Sequence, residues 1–482
     1  MFLSVSQLNK SDLSFQYKPI VFALSLLVPT MGFGSDGSPL TLFEEGEFSL
    51  MSFHEMTGLD EWDKDAQKHT TSYAALGALM LDYESGYVGD NYLSMGFGLG
   101  GSFTYKLSQR NPDTSLGGSK LGQTDCVTDP QKGTVNCEGT TNDAKLSQAN
   151  IRIKAGKKKK RSLNATIGIG YFDAGMIESY DPDSDLTPVS YSGFAVNGRW
   201  DDIDLSAAMV TGMMKKSATS IEKLGYKEDI TKPSSAFVHI DHVGGVSLIH
   251  KLDSFGYTLG YSYAEGFKHR YLAHAKYSMD IMADSRLQFD AAHSLNQHRG
   301  KNWDEAIKKG MEEEGADKAY LTTARLRYLY QDDFRLGFGW STTGGNMNFN
   351  TSLAGVDALE IHYGQGFIEK FRGLNNTSQR FEIAYWPNNF DTPILRDLRL
   401  RYQYVWGDDE YAGHSKNEKG KAQEHIFDVV YTKPSGSFAG TSVTLKVGKL
   451  FADDVWAKVA DGEPDDVGDI AKFKLMVSIP IL

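Results

Sequence analysis

The 482-residue sequence contains only two cysteines, which excludes a disulfide-dense scaffold, a zinc ribbon and an iron–sulfur protein. Basic residues are in the minority: 50 Lys and Arg face 62 Asp and Glu, so the net charge is −12 and no nucleic-acid partner is expected. Enzyme motifs are missing, since no Gly-x-Ser-x-Gly, His-Glu-x-x-His or Walker-type loop occurs. We therefore expect no enzymatic activity, no cofactor and no metal ion, although a barrel enzyme with residues assembled from distant strands stays an alternative.

Long hydrophobic runs are also absent, because no stretch after the N-terminus approaches the ~18–20 apolar residues of a membrane-spanning helix. The apolar run Ile20–Val28 is only nine residues long; it follows Lys18 and precedes the small residues Gly32 and Gly34. This arrangement is typical of a secretory signal peptide, here residues 1–34, with a buried N-terminal helix as the alternative. Its removal would leave residues 35–482 as a single exported domain of 448 residues.

What the sequence does contain is an alternation of apolar and polar residues with a period of two. In Leu398–Trp406, residues with even numbers are Leu, Tyr or Trp, whereas Arg399, Arg401 and Gln403 lie between them. Segments 324–330 and 271–281 repeat this pattern. Further examples are 93–105, 166–171 and 443–447. Such alternation predicts β-strands that have one apolar face and one polar face.

Two all-β architectures fit this alternation: a transmembrane antiparallel barrel and a soluble sandwich. The barrel is favoured because Tyr and Trp cluster at strand ends, and because Gly, Ser and Thr accompany Arg on the polar faces. Long polar connections are predicted at 107–147, 173–190, 215–233, 296–318 and 406–423, as extracellular loops. Gly89-Asp90 and Asp332-Asp333 are predicted to form tight turns at the opposite end.

Several segments resemble the OprD-type outer-membrane porins. Leu81-Asp-Tyr-Glu-Ser-Gly-Tyr-Val-Gly-Asp-Asn-Tyr-Leu-Ser-Met-Gly-Phe-Gly-Leu99 is similar to an early strand pair of that family. Further similar segments follow in the family's order: 168–171 with 187–194, 381–385 and 398–407. Two features depart from the family pattern, since no Arg precedes Pro188 and the last residue is Leu482 instead of Phe.

The resemblance implies an eighteen-stranded barrel in the outer membrane, either a monomer or a loose homotrimer, narrowed by an infolded constriction loop. It also implies passive diffusion of small solutes, commonly carboxylate-bearing ones such as amino acids or aromatic acids. In one branch of the family the solutes are chitooligosaccharides, which is the alternative here. The expected partners are therefore small solutes and outer-membrane lipid.

Six basic residues on polar strand faces are predicted to line the pore: Lys276, Arg325, Arg327, Arg380, Arg399 and Arg401. A row of cations offers successive weak sites for a carboxylate. The alternative is that these cations pair with lumen acids and only brace the wall, the candidate acids being Asp280, Asp290, Glu382 and Asp428.

The predicted constriction loop contributes Asp181, Asp183, Asp185 and Tyr191. Acids opposite a basic wall would create a transverse field that favours zwitterions. Binding of Ca²⁺ and a solvated loop are the alternatives, and the first is disfavoured because the Gly and terminal Glu of an EF-hand loop are missing.

Cys126 and Cys137 lie in a turn-rich stretch of one long connection. In an oxidising compartment we expect a disulfide that closes this loop and contributes ~3 kcal/mol in the entropic description. Free thiols or a metal pair are the alternatives.

Overall fold

The coordinates are a computed structural model that describes most of the chain from residue 45 onwards. The described residues are 45–63, 68–90, 92–110, 126–128, 135–137, 143–158, 161–179, 189–214, 220–227, 237–312, 314–331, 333–373, 375–387, 397–410, 419–453 and 467–481. The predicted signal peptide lies outside these ranges and stays a prediction.

Eighteen long antiparallel strands form the wall of a closed barrel. They are β1 (Glu47–Asp63), β2 (Lys68–Glu84), β4 (Leu93–Arg110), β7 (Asp143–Lys158), β8 (Arg161–Gly170), β9 (Ser190–Trp200), β10 (Ile203–Met214), β13 (Val243–Lys251), β14 (Phe255–Ala264), β15 (Lys268–Met282), β16 (Ser285–His298), β17 (Lys318–Tyr330), β18 (Phe334–Gly345), β19 (Thr377–Tyr385), β20 (Leu398–Glu410), β21 (Lys419–Thr432), β22 (Ser442–Ala452) and β23 (Val467–Pro480).

Each of these strands pairs with its neighbours in sequence, and β1 pairs with β23 from Met51↔Pro480 to Asp63↔Val467. This last pairing closes the sheet on itself. Closure removes the unpaired strand edges that lipid would not solvate. The barrel prediction is therefore confirmed, and the soluble sandwich is excluded.

Short elements lie between the long strands. They are β3 (Val88–Gly89), the hairpin of β5 (Cys126–Thr128) and β6 (Val135–Cys137), the hairpin of β11 (Gly225–Lys227) and β12 (Phe237–His239), and helix α1 (Lys301–Lys308). Cys126 and Cys137 are directly opposite each other in the β5–β6 register. Opposite Cα atoms of antiparallel strands lie about 4.5–5.5 Å apart, which suits a disulfide, so the backbone supports the predicted bond.

Side chains alternate between the two faces of the wall as the sequence predicts. On one face, Ile167, Leu205, Leu259, Leu326 and Phe338 are 44–51% exposed. Register partners point to the same side of the wall, as Phe289, Leu326 and Phe338 do on three successive strands. The polar face contacts the inserted segments described below, so it faces the lumen and the apolar face lies outside.

The two ends of the barrel differ in the length of their connections. Nearly all connections at one end are short turns, among them residues 201–202 and 283–284. At Asp90, the carboxylate accepts hydrogen bonds from the backbone N–H groups of Tyr92 and Leu93, 2.7 and 2.9 Å away, which closes the predicted turn. Gln331 and Asp333 flank the other predicted turn, and Asp332 lies outside the described residues.

The long connections gather at the opposite end, but their predicted bounds need correction. β20 continues to Glu410 and β21 begins at Lys419, because the two strands stay paired well past residue 406. The stretch 296–318 contains α1, a short amphipathic helix with buried Trp303. A further long connection, residues 346–376, was not predicted; it follows β18 and turns into the lumen.

The largest cluster of buried apolar side chains lies inside this long-connection end. It includes Phe172, Tyr191, Leu224, Ile240, Trp303 and Leu353. No helix in the described part of the chain is long and apolar enough to cross a membrane.

Candidate functional site

A group of five arginines on four neighbouring strands forms a basic area of the lumen wall. We call Arg325, Arg327, Arg335, Arg380 and Arg401 the basic wall. The register places Arg325 and Arg380 on either side of Gly339 in one row across the sheet. Because Gly339 has no side chain, the surface between these two guanidinium groups stays open for the inserted backbone described below.

Most of these arginines contact a carboxylate of the same wall. Arg325 and Arg327 share Asp290, at 3.2 and 3.3 Å. Arg401 lies 2.6 Å from Asp428. Pairing of the wall cations with Asp290 and Asp428 is what the bracing alternative expects, so bracing is part of their role.

Glu382 is the third acid of this area, and Arg335 binds it at 2.7 Å. Arg335 was missed from the sequence, although the alternation Phe334–Trp340 places it on the same face as Gly337 and Gly339. Arg380 differs from its neighbours: within the described ranges, its guanidinium forms no hydrogen bond or ion pair and acts electrostatically on Glu382, Arg335 and Arg401. Five arginines thus face three carboxylates, which leaves the wall positively charged.

The other two predicted cations are not members of this group of arginines. Lys276 on β15 is exposed and is opposite Asp290 in the register, and Arg399 is exposed near the short-turn end. The pore-lining role of all six predicted cations stays a prediction.

The unpredicted connection, residues 346–376, which we call the insert, crosses the lumen and packs against the basic wall. The Tyr363 backbone N–H donates to Thr323 Oγ1 at 3.0 Å, and that of Gly364 donates to Ser341 Oγ at 2.9 Å. The Arg325 guanidinium lies over the Tyr363 ring, with its Cζ atom 4.0 Å from the ring centroid. The insert thus contacts the wall directly beside the arginine row.

Glu424 of β21 holds the far part of the insert. Its carboxylate accepts backbone N–H bonds from Phe367, Ile368 and Glu369 at 3.0, 2.9 and 3.2 Å. A Cβ at Gly366 would lie 2.0 Å from Glu424 Oε2, so the close approach requires glycine there. One buried carboxylate thereby satisfies three backbone donors that no strand partner serves.

Charged groups inside the insert are paired with each other. Arg372 donates to Glu360 Oε2 at 2.9 Å, and His362 Nδ1 lies 3.6 Å from Glu360 Oε1. Burial by itself would raise the pKa of Glu360, but His362 and Arg372 outweigh it and lower that pKa to about 2. Burial raises the pKa of Tyr363 to about 12. At neutral pH, Glu360 is therefore ionised and Tyr363 is a neutral phenol.

A second inserted segment, residues 171–179, joins the insert through Tyr191. The Tyr191 hydroxyl donates to the Glu178 carbonyl at 3.0 Å and accepts from the Asp357 backbone N–H at 3.1 Å. Ile177 and Ala358 form an isolated β-bridge beside it. Tyr191, predicted as a constriction-loop residue, is the second residue of β9 and is 0% exposed, so its hydroxyl positions backbone inside this junction.

The acidic groups of this junction lie away from the basic wall. Asp173, Glu178 and Asp357 all act electrostatically on the Tyr191 hydroxyl, and Asp173 and Asp357 are exposed. Asp173 and Glu178 border a cavity of about 470 Å³ that is also lined by Asn164 and other polar residues of β8 to β13. The predicted acids Asp181, Asp183 and Asp185 lie outside the described residues, so their role stays a prediction.

We expect Tyr191→Phe to loosen the junction of the two inserted segments. The change keeps the ring but leaves the Glu178 carbonyl and the Asp357 N–H unpaired, and each buried unpaired group costs about 1–3 kcal/mol. Open-channel current noise in planar bilayers and protease cleavage within the insert should both increase. Tyr257→Phe is the matched control, because the Tyr257 hydroxyl bonds to His250 on the outer face and not to an inserted segment that the structure describes. Equal noise and cleavage in wild type and Tyr191→Phe would contradict this role.

Comparison with known proteins supports the fold. No family model and no curated protein matches the sequence. Among solved structures, OccK9 (OpdG) of Pseudomonas aeruginosa superposes with a TM-score of 0.69 at 15% identity, covering 91% of this chain and 99% of that chain. OccAB1 of Acinetobacter baumannii gives 0.70 at 13% identity, covering 90% and 96%. OpdK of Pseudomonas aeruginosa, crystallised with vanillate, gives 0.67 at 16% identity, covering 91% and 98%.

These similarities confirm the predicted resemblance at the level of the fold: the chain has the barrel of the OprD-type porins.

Proposed function

We propose that this chain is an outer-membrane porin through which small carboxylate-bearing solutes diffuse passively. The observation that carries this function is the basic wall beside the insert, in which Arg380 has no ion-pair partner among the described residues. A guanidinium without a carboxylate partner can bind a solute carboxylate without first breaking an ion pair.

Membrane placement is supported by the outer surface of the barrel. Apolar residues such as Ile167, Leu259 and Leu326 are exposed there, and lipid is the solvent that suits such a belt. Charged residues such as Arg325 of β17 and Asp290 of β16 lie on the lumen face of the wall, where they pair with each other. The two faces together fit a water-filled passage through a bilayer.

Passage of a carboxylate requires binding sites that are individually weak. Arg380 would bind the incoming carboxylate first, and Arg325 or Arg401 would then compete for it while each stays paired with Asp290 or Asp428. Because Asp290 and Asp428 compete with the solute carboxylate for Arg325 and Arg401, neither arginine holds the anion tightly.

Amino acids are a favoured class among carboxylates. Asp173, Glu178 and Asp357 lie on the inserted segments near β9 and β10, whereas the basic wall lies on β17 to β20. A zwitterion can place its ammonium group towards these acids while its carboxylate contacts an arginine. Aromatic acids are the other class we propose, since the similar barrel OpdK was crystallised with vanillate.

We expect Arg380→Gln to reduce anion selectivity and carboxylate uptake without blocking the channel. Loss of one unpaired charge in a partly desolvated site should lower carboxylate permeability by about three- to tenfold. The measurements are the reversal potential in a salt gradient and liposome swelling with benzoate, glutamate and glycine, with a neutral sugar of similar size as the internal reference.

Arg286→Gln is the matched control, because Arg286 is exposed, near the short-turn end of β16, and already paired with Asp280 at 2.8 Å. Selective loss in Arg380→Gln alone supports the proposal. Unchanged carboxylate uptake in Arg380→Gln would remove this residue from the path, and uptake of sugars in preference to acids would favour an oligosaccharide porin.

A further inference from the structure

A second polar site lies on the outside of the barrel, on strands β14 and β15. Outward-facing Tyr261 and Tyr263 of β14 are next to His269 and Tyr271 of β15, since Tyr261↔Tyr271 and Tyr263↔His269 are register pairs. Together with His242 and Arg299, these residues form what we call the outer patch. The patch interrupts a surface that is otherwise mostly apolar.

The members of the outer patch contact each other through hydrogen bonds and rings. Tyr261 Oη and His269 Nδ1 are 2.8 Å apart, and His242 Nε2 lies 3.2 Å from Tyr263 Oη. The rings of Tyr261 and Tyr271 are 5.2 Å apart, and Tyr271 is 39% exposed. Mutual contacts of this kind hold the hydroxyl and imidazole groups in a fixed arrangement on the surface.

Arg299 gives the patch a positive charge. It follows the last residue of β16, is exposed, and acts electrostatically on both Tyr261 and His269. Its guanidinium forms no ion pair or hydrogen bond within the part of the chain that the structure describes. Lys449, another outward-facing cation near the same end, differs because Asp469 lies 3.8 Å from its ammonium group.

The position of the outer patch along the barrel axis indicates which part of the membrane surrounds it. His269 is the second residue of β15, and Arg299 precedes α1, so both lie at the end that carries the long connections. In outer-membrane barrels this is the extracellular end, where the outer-leaflet headgroups surround the wall. A free guanidinium beside tyrosine and histidine donors suits a phosphate oxygen.

We propose that the outer patch binds the phosphorylated sugar headgroup of an outer-leaflet glycolipid. Arg299 would contact a phosphate directly, and the Tyr261 and Tyr263 hydroxyls would bind neighbouring phosphate or sugar oxygens. The aromatic rings would lie against the upper part of the acyl chains. The site does not involve the lumen, so it is independent of the transported solute.

The test compares glycolipid binding by the purified full chain and by Arg299→Ala in detergent. The probes are lipid A with both phosphates and the same glycolipid after enzymatic dephosphorylation, with bound lipid quantified by native mass spectrometry. Wild type should prefer the phosphorylated probe, and Arg299→Ala should bind it about tenfold more weakly because a charge-assisted hydrogen bond is lost. Tyr261→Phe should give a smaller loss and serves as the second variant if Arg299→Ala does not fold.

Lys449→Ala is the matched control, since it removes an outward cation that Asp469 already neutralises. It should bind the phosphorylated probe as wild type does. The proposal is overturned if wild type binds both probes equally, if Arg299→Ala keeps full binding, or if Lys449→Ala loses as much as Arg299→Ala. Channel conductance, recorded on the same preparations, tests the porin function separately and should be the same in all of them.

Discussion

Replacing Glu424 with alanine should raise the single-channel conductance, because the insert would no longer be held against the wall. The Glu424 carboxylate is the acceptor for three backbone N–H groups at residues 367–369. Each donor left unpaired in a buried site costs about 1–3 kcal/mol. The three donors together would therefore destabilise the present position of residues 367–369. We expect the insert to leave the wall and the passage to widen. Conductance in planar bilayers is the direct measurement.

Gln423→Ala serves as the control for this change. Gln423 is the adjacent residue, faces outwards and bonds to the Tyr404 hydroxyl, so its removal should leave the conductance as in wild type. Glu424→Gln should give an intermediate conductance, because a carboxamide keeps only one acceptor oxygen. If Glu424→Ala conducts like wild type, the carboxylate is not what holds the insert.

The second large effect is expected from a charge on the outer face. Ile167 lies well inside β8, points outwards and is 49% exposed. An arginine at a lipid-facing position near the bilayer midplane costs about 2–4 kcal/mol. Ile167→Arg should therefore lower the free energy of unfolding in urea by that amount when the protein is folded into lipid vesicles.

The matched control is Asn164→Arg, because Asn164 is exposed on the lumen face of the same strand and lines the 470 Å³ cavity. Its loss of stability should be small. Equal destabilisation by both changes would mean that the apolar face does not meet lipid, and the proposed membrane placement would fail with it.

The alternation of residues predicts the strands well, since it reports directly which side chains share a face. Segment 398–406 lies within β20 and segment 271–281 within β15, and Arg325 and Arg327 lie on one face as expected. The ion pairs with Asp290 were anticipated only as an alternative. Which acid meets which base depends on the register between strands, and one sequence does not specify that register.

The insert could not be predicted, because the groups that hold it are remote in sequence and belong to strand residues of ordinary polar type. Thr323, Ser341 and Glu424 read as lumen-facing residues of regular strands. Nothing in residues 346–376 has the period of a strand or a helix. Tyr191 was named, yet its burial between two segments became visible only with both of them in place.

The attachment of the insert to Glu424 has a consequence for biogenesis. The insert leaves β18 and returns to β19, but the strand that fastens it, β21, lies two strands further along the chain. The narrow part of the channel therefore cannot be completed in an intermediate that lacks the C-terminal hairpins. The insert is fastened only once β21 has joined the wall, which the seam between β1 and β23 closes.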